Sequence, residues 1–220
     1  MTTWIKICGI THPADALRVA DLAADAIGFV FHARSPRYCA PDAARRIIRE
    51  LPSSVVPVGV WLDEDAGRME READEARVQL VQTYALDVAQ ALARRGRRVI
   101  MAIDPYQAGW TAGLSRWPVE RLLLDRGRIY GRDGAAALRN ADLVAARRHA
   151  PVILAGGLTP QNVAAALQDL RPDGVDVASG VESAPGRKDH AKLTEFVMEV
   201  RRWDAKVTSD ASADSSSPRH

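Results

Sequence analysis

Trp4-Ile5-Lys6-Ile7-Cys8-Gly9-Ile10-Thr11 decides how the rest of this chain is read. An apolar run from Trp4 to Ile7 gives way to a cysteine, a glycine and a threonine, where a strand should pass into a loop. A thiol at such an edge faces a mouth. In a parallel barrel the C-terminal ends of the strands carry the chemistry. Taken alone, Cys8 is more plainly a small buried hydrophobe, the commonest fate of a free cysteine. The remaining two hundred or so residues change that balance.

Short β-rich runs alternate with alanine- and charge-rich stretches almost to the end. The pattern predicts strands at Trp4–Ile7, Ala26–Phe31, Val55–Trp61, Arg77–Val81, Arg98–Ile103, Arg121–Leu124, Val152–Leu154 and Gly174–Val177. It predicts helices at Pro13–Ala23, Pro41–Glu50, Asp65–Ala73, Ala85–Arg95, Ala141–His149, Pro160–Asp169 and about Asp189–Arg202. Pro13, Pro41 and Pro160 sit where a helix would begin, a position that tolerates proline. Val58-Gly59-Val60-Trp61 and Val152-Ile153-Leu154 are apolar on consecutive residues, as strands covered on both faces are. Repeated strand-helix alternation implies parallel strands with right-handed crossovers. Eight such units in 220 residues predict an α/β fold, a (β/α)8 TIM barrel in a single domain over 1–206. A doubly wound sheet also alternates, but no GxGxxG follows the first strand. Two glycines interrupt any helix in Pro105–Pro118. The serine- and aspartate-rich stretch 207–220 has too little apolar surface to order itself and is expected to be a disordered tail.

A hydrophobic fraction of 47% supports a substantial core, and a net charge of +2 gives no case for nucleic acid or an anionic membrane as partner. Two cysteines, Cys8 and Cys39, cannot build a disulfide scaffold, and Cys39 reads as structural. No secretory signal precedes Trp4 and no apolar run reaches the roughly 20 residues that span a bilayer, so a cytoplasmic location is expected. The five histidines are scattered and suggest no metal site.

Polar residues at the strand ends form a short set. Asp125 follows Leu122-Leu123-Leu124, a costly place for a carboxylate that is neither solvated, hydrogen-bonded nor functional. A thiol and a carboxylate across one mouth can serve as base and acid. The seventh and eighth strands end in Ala155-Gly156-Gly157-Leu158 and Ala178-Ser179-Gly180-Val181. Glycines let the backbone approach a ligand, and free amides near a helix start attract anions. Barrels often bind phosphate there, which makes a phosphorylated small molecule the expected substrate class. Arg37, in Ser35-Pro36-Arg37-Tyr38, offers a planar fork for a carboxylate or phosphate, or else a surface ion pair.

Together these segments resemble the phosphoribosylanthranilate isomerases of tryptophan biosynthesis. The likeness rests on Lys6-Ile7-Cys8-Gly9-Ile10-Thr11, Gly28-Phe29-Val30-Phe31, Ser35-Pro36-Arg37-Tyr38 and Leu122-Leu123-Leu124-Asp125. It continues through Leu154-Ala155-Gly156-Gly157-Leu158-Thr159-Pro160-Gln161-Asn162-Val163 and Val175-Asp176-Val177-Ala178-Ser179-Gly180-Val181-Glu182. The resemblance implies an Amadori rearrangement of N-(5'-phosphoribosyl)anthranilate without cofactor or metal, in a monomer or homodimer. It implies Asp125 as general acid at the ring oxygen and Cys8 as general base at C2. Lys6, Arg37 and Asp176 are then substrate-binding residues, with Arg37 on the anthranilate carboxylate. Gly156, Gly157, Ser179 and Gly180 form the phosphate site, and Lys6 would favour the thiolate of Cys8. Two segments depart from the family pattern. Val78-Gln79-Leu80-Val81-Gln82 stands where the family has Val-Gln-Leu-His-Gly, and Gly131-Arg132-Asp133-Gly134-Ala135-Ala136-Ala137 replaces a Gly-Gly-Thr-Gly loop. They keep open a paralogue that acts on another phosphorylated amino sugar, or binds a phosphosugar without turnover.

Overall fold

The first strand, β1 (Trp4–Cys8), closes the sheet on itself: Lys6 stands opposite Ala26 on one side and Asp176 on the other. The computed structural model describes residues 2–107, 109–126 and 140–215. After β1 come β2 (Ala26–Val30), β3 (Val56–Val60), β4 (Leu80–Thr83), β5 (Arg98–Ile103), β6 (Arg121–Asp125), β7 (Val152–Ala155) and β8 (Gly174–Val177), all parallel and paired in chain order around a closed barrel. The helices are α1 (Pro13–Asp21), α2 (Pro41–Ile48), α3 (Ala66–Ala76), α4 (Leu86–Arg94), α5 (Asn140–Arg147), α6 (Val163–Leu170) and α7 (His190–Ser215). The eight-stranded α/β barrel expected from the alternation is what forms.

Consecutive apolar residues on each strand feed two separate cores. Ala26, Val58, Leu80, Ile100, Leu123 and Ile153 fill the barrel interior. Ile5, Ile7, Phe29, Val81, Leu122 and Leu124 pack outward, under the helices. The two-residue period of a strand sends alternate side chains to opposite faces. With Ile5 and Ile7 facing out, Lys6 and Cys8 face in. By the same count Leu123 and Asp125 face in on β6.

Four local features differ from the expectations. The fourth strand is displaced from Arg77–Val81 to Leu80–Thr83, because Arg77 ends α3 in the left-handed conformation (φ 63°). That position usually holds glycine, so an arginine there leaves no mark in the sequence. Pro160 does not open a helix. Thr159 N–H donates to Asn162 Oδ1 at 2.8 Å and Asn162 Nδ2 to the Gly157 carbonyl at 2.9 Å, which makes a turn and delays α6 to Val163. Between β5 and β6 the described residues form turns and a single 3-10 turn, Leu114–Arg116, with Trp110 and Trp117 packed against the outer core. Finally, α7 runs well past Arg202 and past the expected start of a disordered tail at 207. Asp204 accepts from Thr3 N–H at 3.0 Å and Thr3 Oγ1 at 2.6 Å, and Arg201 donates to the Thr3 carbonyl at 2.7 Å. A helix so pinned adds one hydrogen bond for each further residue, with no new nucleus to form. Composition alone does not register that anchor.

A short hairpin, β9 (Glu182–Ala184) and β10 (Arg187–Lys188), follows β8 and folds beside the C-terminal end of the barrel. Thr11 Oγ1 donates to the Gly186 carbonyl in its turn at 2.6 Å. No helix among the described residues is long and apolar enough to cross a membrane.

Candidate active site at the barrel mouth

A cavity of about 380 Å³ opens at the C-terminal ends of the strands. Cys8, Arg37, Asp125, Asp176, Gly156-Gly157 and Ser179 all line it, as do Gln82 and Tyr84. Lys6 sits one inward position below Cys8, with no solvent exposure. Gly180 is not part of the lining.

Cys8 owes its position to a missing side chain on the next strand. A Cβ on Gly28 would lie 2.8 Å from Cys8 Sγ. Burial pushes the Cys8 thiol above its ordinary range. The Lys6 and Lys188 ammonium groups pull it back without reversing it, and the Asp176 carboxylate adds to the rise. The expectation that Lys6 would favour the thiolate is met in sign but is outweighed by desolvation.

Lys6 Nζ donates to Asp176 Oδ1 at 2.9 Å. Burial works against the Lys6 ammonium, yet Asp176 and Cys8 outweigh it and hold its pKa above the ordinary value. Asp176 is pushed up by burial, with Asp125 across the cavity adding to the rise and Lys6 opposing it. Lys6 therefore reaches the site through Asp176 and Cys8 and does not line the cavity itself.

Arg37 is held as a fork. Its Nε and Nη2 donate to Glu182 at 2.9 Å and 2.7 Å. Glu182 in turn accepts from Lys188 Nζ at 2.9 Å, and Lys188 also donates to the Ala178 carbonyl at 3.0 Å. Burial would push the Glu182 carboxyl up, but Arg37 and Lys188 bring it below the usual carboxylate range. Burial lowers Lys188, with Glu182 opposing. Arg37 Nη1 has no partner among the described residues and belongs to a side chain on the cavity wall. Gly9, at φ 76°, again makes the room: a Cβ there would meet Arg37 Cδ at 2.6 Å.

Across the mouth, Tyr84 Oη donates to Asp125 Oδ2 at 2.7 Å. Gln82, 2% exposed, has a buried Oε1 with no hydrogen-bond partner among the described residues. Sequence reasoning misses both residues because it places the fourth strand three residues early. Leu80 inward, read two residues at a time, gives Gln82 and Tyr84 inward. It also sends Val81 outward into the helix layer, so the departure at Val81 does not touch the cavity.

The anion corner has two backbone devices. Gly156 and Gly157 both adopt positive φ, 86° and 70°, turning the chain after β7. Gly180 has a different reason to be glycine: a Cβ there would fall 1.8 Å from the Leu158 carbonyl oxygen. Its neighbour Ser179 lines the cavity, and Gly180 itself does not. The replaced loop, residues 131–137, lies outside the described residues. Beside the mouth, His32 Nδ1 meets Glu64 at 3.2 Å and Asp63 at 3.3 Å, a cluster that the scattered histidines did not suggest. Glu64 also caps the Leu62 and Asp63 amides. Cys8 and Cys39 are both free, and burial raises the Cys39 thiol to about 11.

Comparison with known proteins agrees with this geometry. Residues 5–199 match the family described as N-(5'phosphoribosyl)anthranilate (PRA) isomerase. A relative from Geobacter sp. (strain M21), named N-(5'-phosphoribosyl)anthranilate isomerase, is 41% identical over 201 residues, 91% of this chain and 98% of its own. The crystal structure of phosphoribosyl anthranilate isomerase from Thermotoga maritima superposes with a TM-score of 0.81 at 35% identity, covering 91% of this chain and all of that one (100%). A structure of phosphoribosyl anthranilate isomerase in complex with reduced 1-(o-carboxyphenylamino)-1-deoxyribulose 5-phosphate gives 0.77 at 32% identity, covering 91% and 100%. With its barrel and most of its length shared with them, the chain belongs to the N-(5'-phosphoribosyl)anthranilate isomerase family.

Proposed function

We propose that this chain isomerises N-(5'-phosphoribosyl)anthranilate with Cys8 as general base and Asp125 as general acid. The observation that carries the assignment is their placement on one cavity, from β1 and β6, three strands apart around the ring. Asp125 gives its proton to the ribose ring oxygen as the C1–O bond breaks, and the nitrogen lone pair forms a C1=N iminium. The iminium acidifies the C2–H bond. Cys8 takes that proton as its thiolate, the form that Lys6, Lys188 and the cationic iminium favour. The C–H electrons form the C1=C2 bond of an enolamine while the C=N electrons return to nitrogen. Loss of the C2 hydroxyl proton and protonation of C1 then give the ketone. Proton transfer by a positioned group contributes typically about 10²–10⁴-fold.

The rest of the mouth suits the two ends of such a substrate. Arg37 Nη1 is the donor available to the anthranilate carboxylate, its other two nitrogens being held by Glu182. Asp176 Oδ2 accepts from the amino or ribose groups while Oδ1 stays on Lys6. Gly156, Gly157 and Ser179 surround the phosphate. The test is Cys8→Ala, assayed by conversion of the purified substrate. A fall in kcat of about 10²–10⁴-fold is expected with the fold retained. Wild-type turnover would remove Cys8 from the mechanism, and tight substrate binding without turnover in the unaltered protein would point to a phosphosugar binder.

A further inference from the structure

We infer that Tyr84 is a positioning residue for catalysis, a fixed hydrogen-bond donor that sets the orientation of the Asp125 carboxyl; this rests on Asp125 being the general acid. Topology makes the contact a deliberate one. Tyr84 follows β4 and Asp125 ends β6, so β5 lies between them and the phenol must span it to reach its partner. The β4–β5 register pairs Thr83 with Met101, which puts Tyr84 level with Ala102. Ala102 faces into the barrel and is among its smallest interior residues, so β5 leaves space for the ring. The ring packs on the interior cluster and its hydroxyl arrives 2.7 Å from Asp125 Oδ2.

The chemistry of this contact is one-directional. Burial, followed by the neighbouring Asp125 charge, pushes ionisation of Tyr84 far above its ordinary range. The phenol is therefore neutral in the ordinary pH range and donates to Asp125. Of the neutral donors that line the cavity, Tyr84, Gln82, Ser35 and Ser179, Tyr84 is the one whose donation to Asp125 the structure shows. Cys8, Asp125 and Asp176 are titratable, and Lys6 is committed to Asp176. A carboxyl that must deliver its proton to one ring oxygen needs a set plane, because small misplacements of a reacting group are costly in rate. Tyr84 supplies that constraint without placing another formal charge beside two carboxylates.

The test is Tyr84→Phe, which keeps the ring and removes the hydroxyl, combined with Asp125→Asn in a double-mutant cycle. Losing a hydrogen bond to the carboxylate that forms as the proton leaves predicts a fall in kcat of about ten- to a hundredfold, with KM within about twofold. In the Asp125→Asn background the same change should cost under about threefold, because the group it positions is already disabled. Wild-type kcat in Tyr84→Phe, a loss carried by KM, or an equal loss in both backgrounds would each overturn the inference. If Asp125→Asn itself retains full turnover, the acid assignment falls and this one with it. An inactive Asp125→Asn beside a fully active Tyr84→Phe would remove only the role of Tyr84. Circular dichroism of both variants should match the unaltered protein.

Discussion

The two sides of the barrel mouth hold their reactive groups by different means. On the side built by β1, β2 and the β9–β10 hairpin, Cys8 stands among paired charges. Lys6 is bonded to Asp176, and Arg37 and Lys188 share Glu182. Among these residues three cations face two carboxylates, one positive charge in surplus, and ionisation of the thiol would balance it. On the side built by β4 and β6, Asp125 is met by a neutral phenol. The first arrangement fixes geometry by mutual dependence, since removing Lys6, Asp176 or Glu182 strands a charged partner. In the second, the Tyr84 hydroxyl, carried on a packed ring, is one of the groups that meet the Asp125 carboxyl. Stranding one member of the Lys6–Asp176 pair should therefore appear in stability, and loss of the Asp125 carboxyl chiefly in turnover.

The strongest way to break that contrast is Lys6→Met set against Asp125→Asn. Removing Lys6 leaves the Asp176 carboxylate without its partner and should lower unfolding free energy by about 3–5 kcal/mol, read from denaturant midpoints. Asp125→Asn should unfold within about 1 kcal/mol of the unaltered protein, being a near-isosteric change at the cavity surface. It should still lose about 10²–10⁴-fold in kcat with KM little changed. Equal stability losses in the two variants would erase the distinction between the sides.

Gly157→Val probes the corner that belongs to neither side. At φ 70° a β-branched residue is strained and its methyl groups crowd the approach of a dianion. KM should rise about ten- to a hundredfold through lost hydrogen bonds to a charged group, and competitive inhibition by inorganic sulfate should weaken in parallel. An unchanged sulfate inhibition constant would move the anion elsewhere. The smallest effect is expected from Glu182→Gln, which keeps hydrogen bonding to Arg37 but removes the charge. KM should rise about three- to tenfold with kcat preserved, as uniform binding is lost. If KM does not move, the fork holding Arg37 is dispensable and the charged side is less interdependent than its contacts imply.

Much of the barrel is legible in the sequence because doubly covered strands are apolar on consecutive residues, and strand ends locate inward polar groups such as Cys8 and Asp125, while Asp176 comes from the family resemblance. The features that escape have identifiable causes. Arg77 ends a helix in a conformation that glycine normally marks, so pattern alone sets β4 three residues early and hides Gln82 and Tyr84. Glu182 stands at the end of a family motif, but its partner Arg37 is 145 residues away, a separation that local pattern cannot bridge. Gly180 suggests a close approach of the backbone, and the structure adds one that pattern does not show, to the Leu158 carbonyl of another loop. The length of α7 depends on Thr3 at the opposite end of the chain.

The contact between Gly180 and Leu158 has a mechanical consequence. With a missing Cβ as the only clearance, the loops after β7 and β8 touch backbone to backbone and form one solid jaw. Neither loop can move closer to the other at that point, and no side chain fits between them. A loop grafted in place of either one therefore has to keep this clearance, with a glycine at 180 where the two meet.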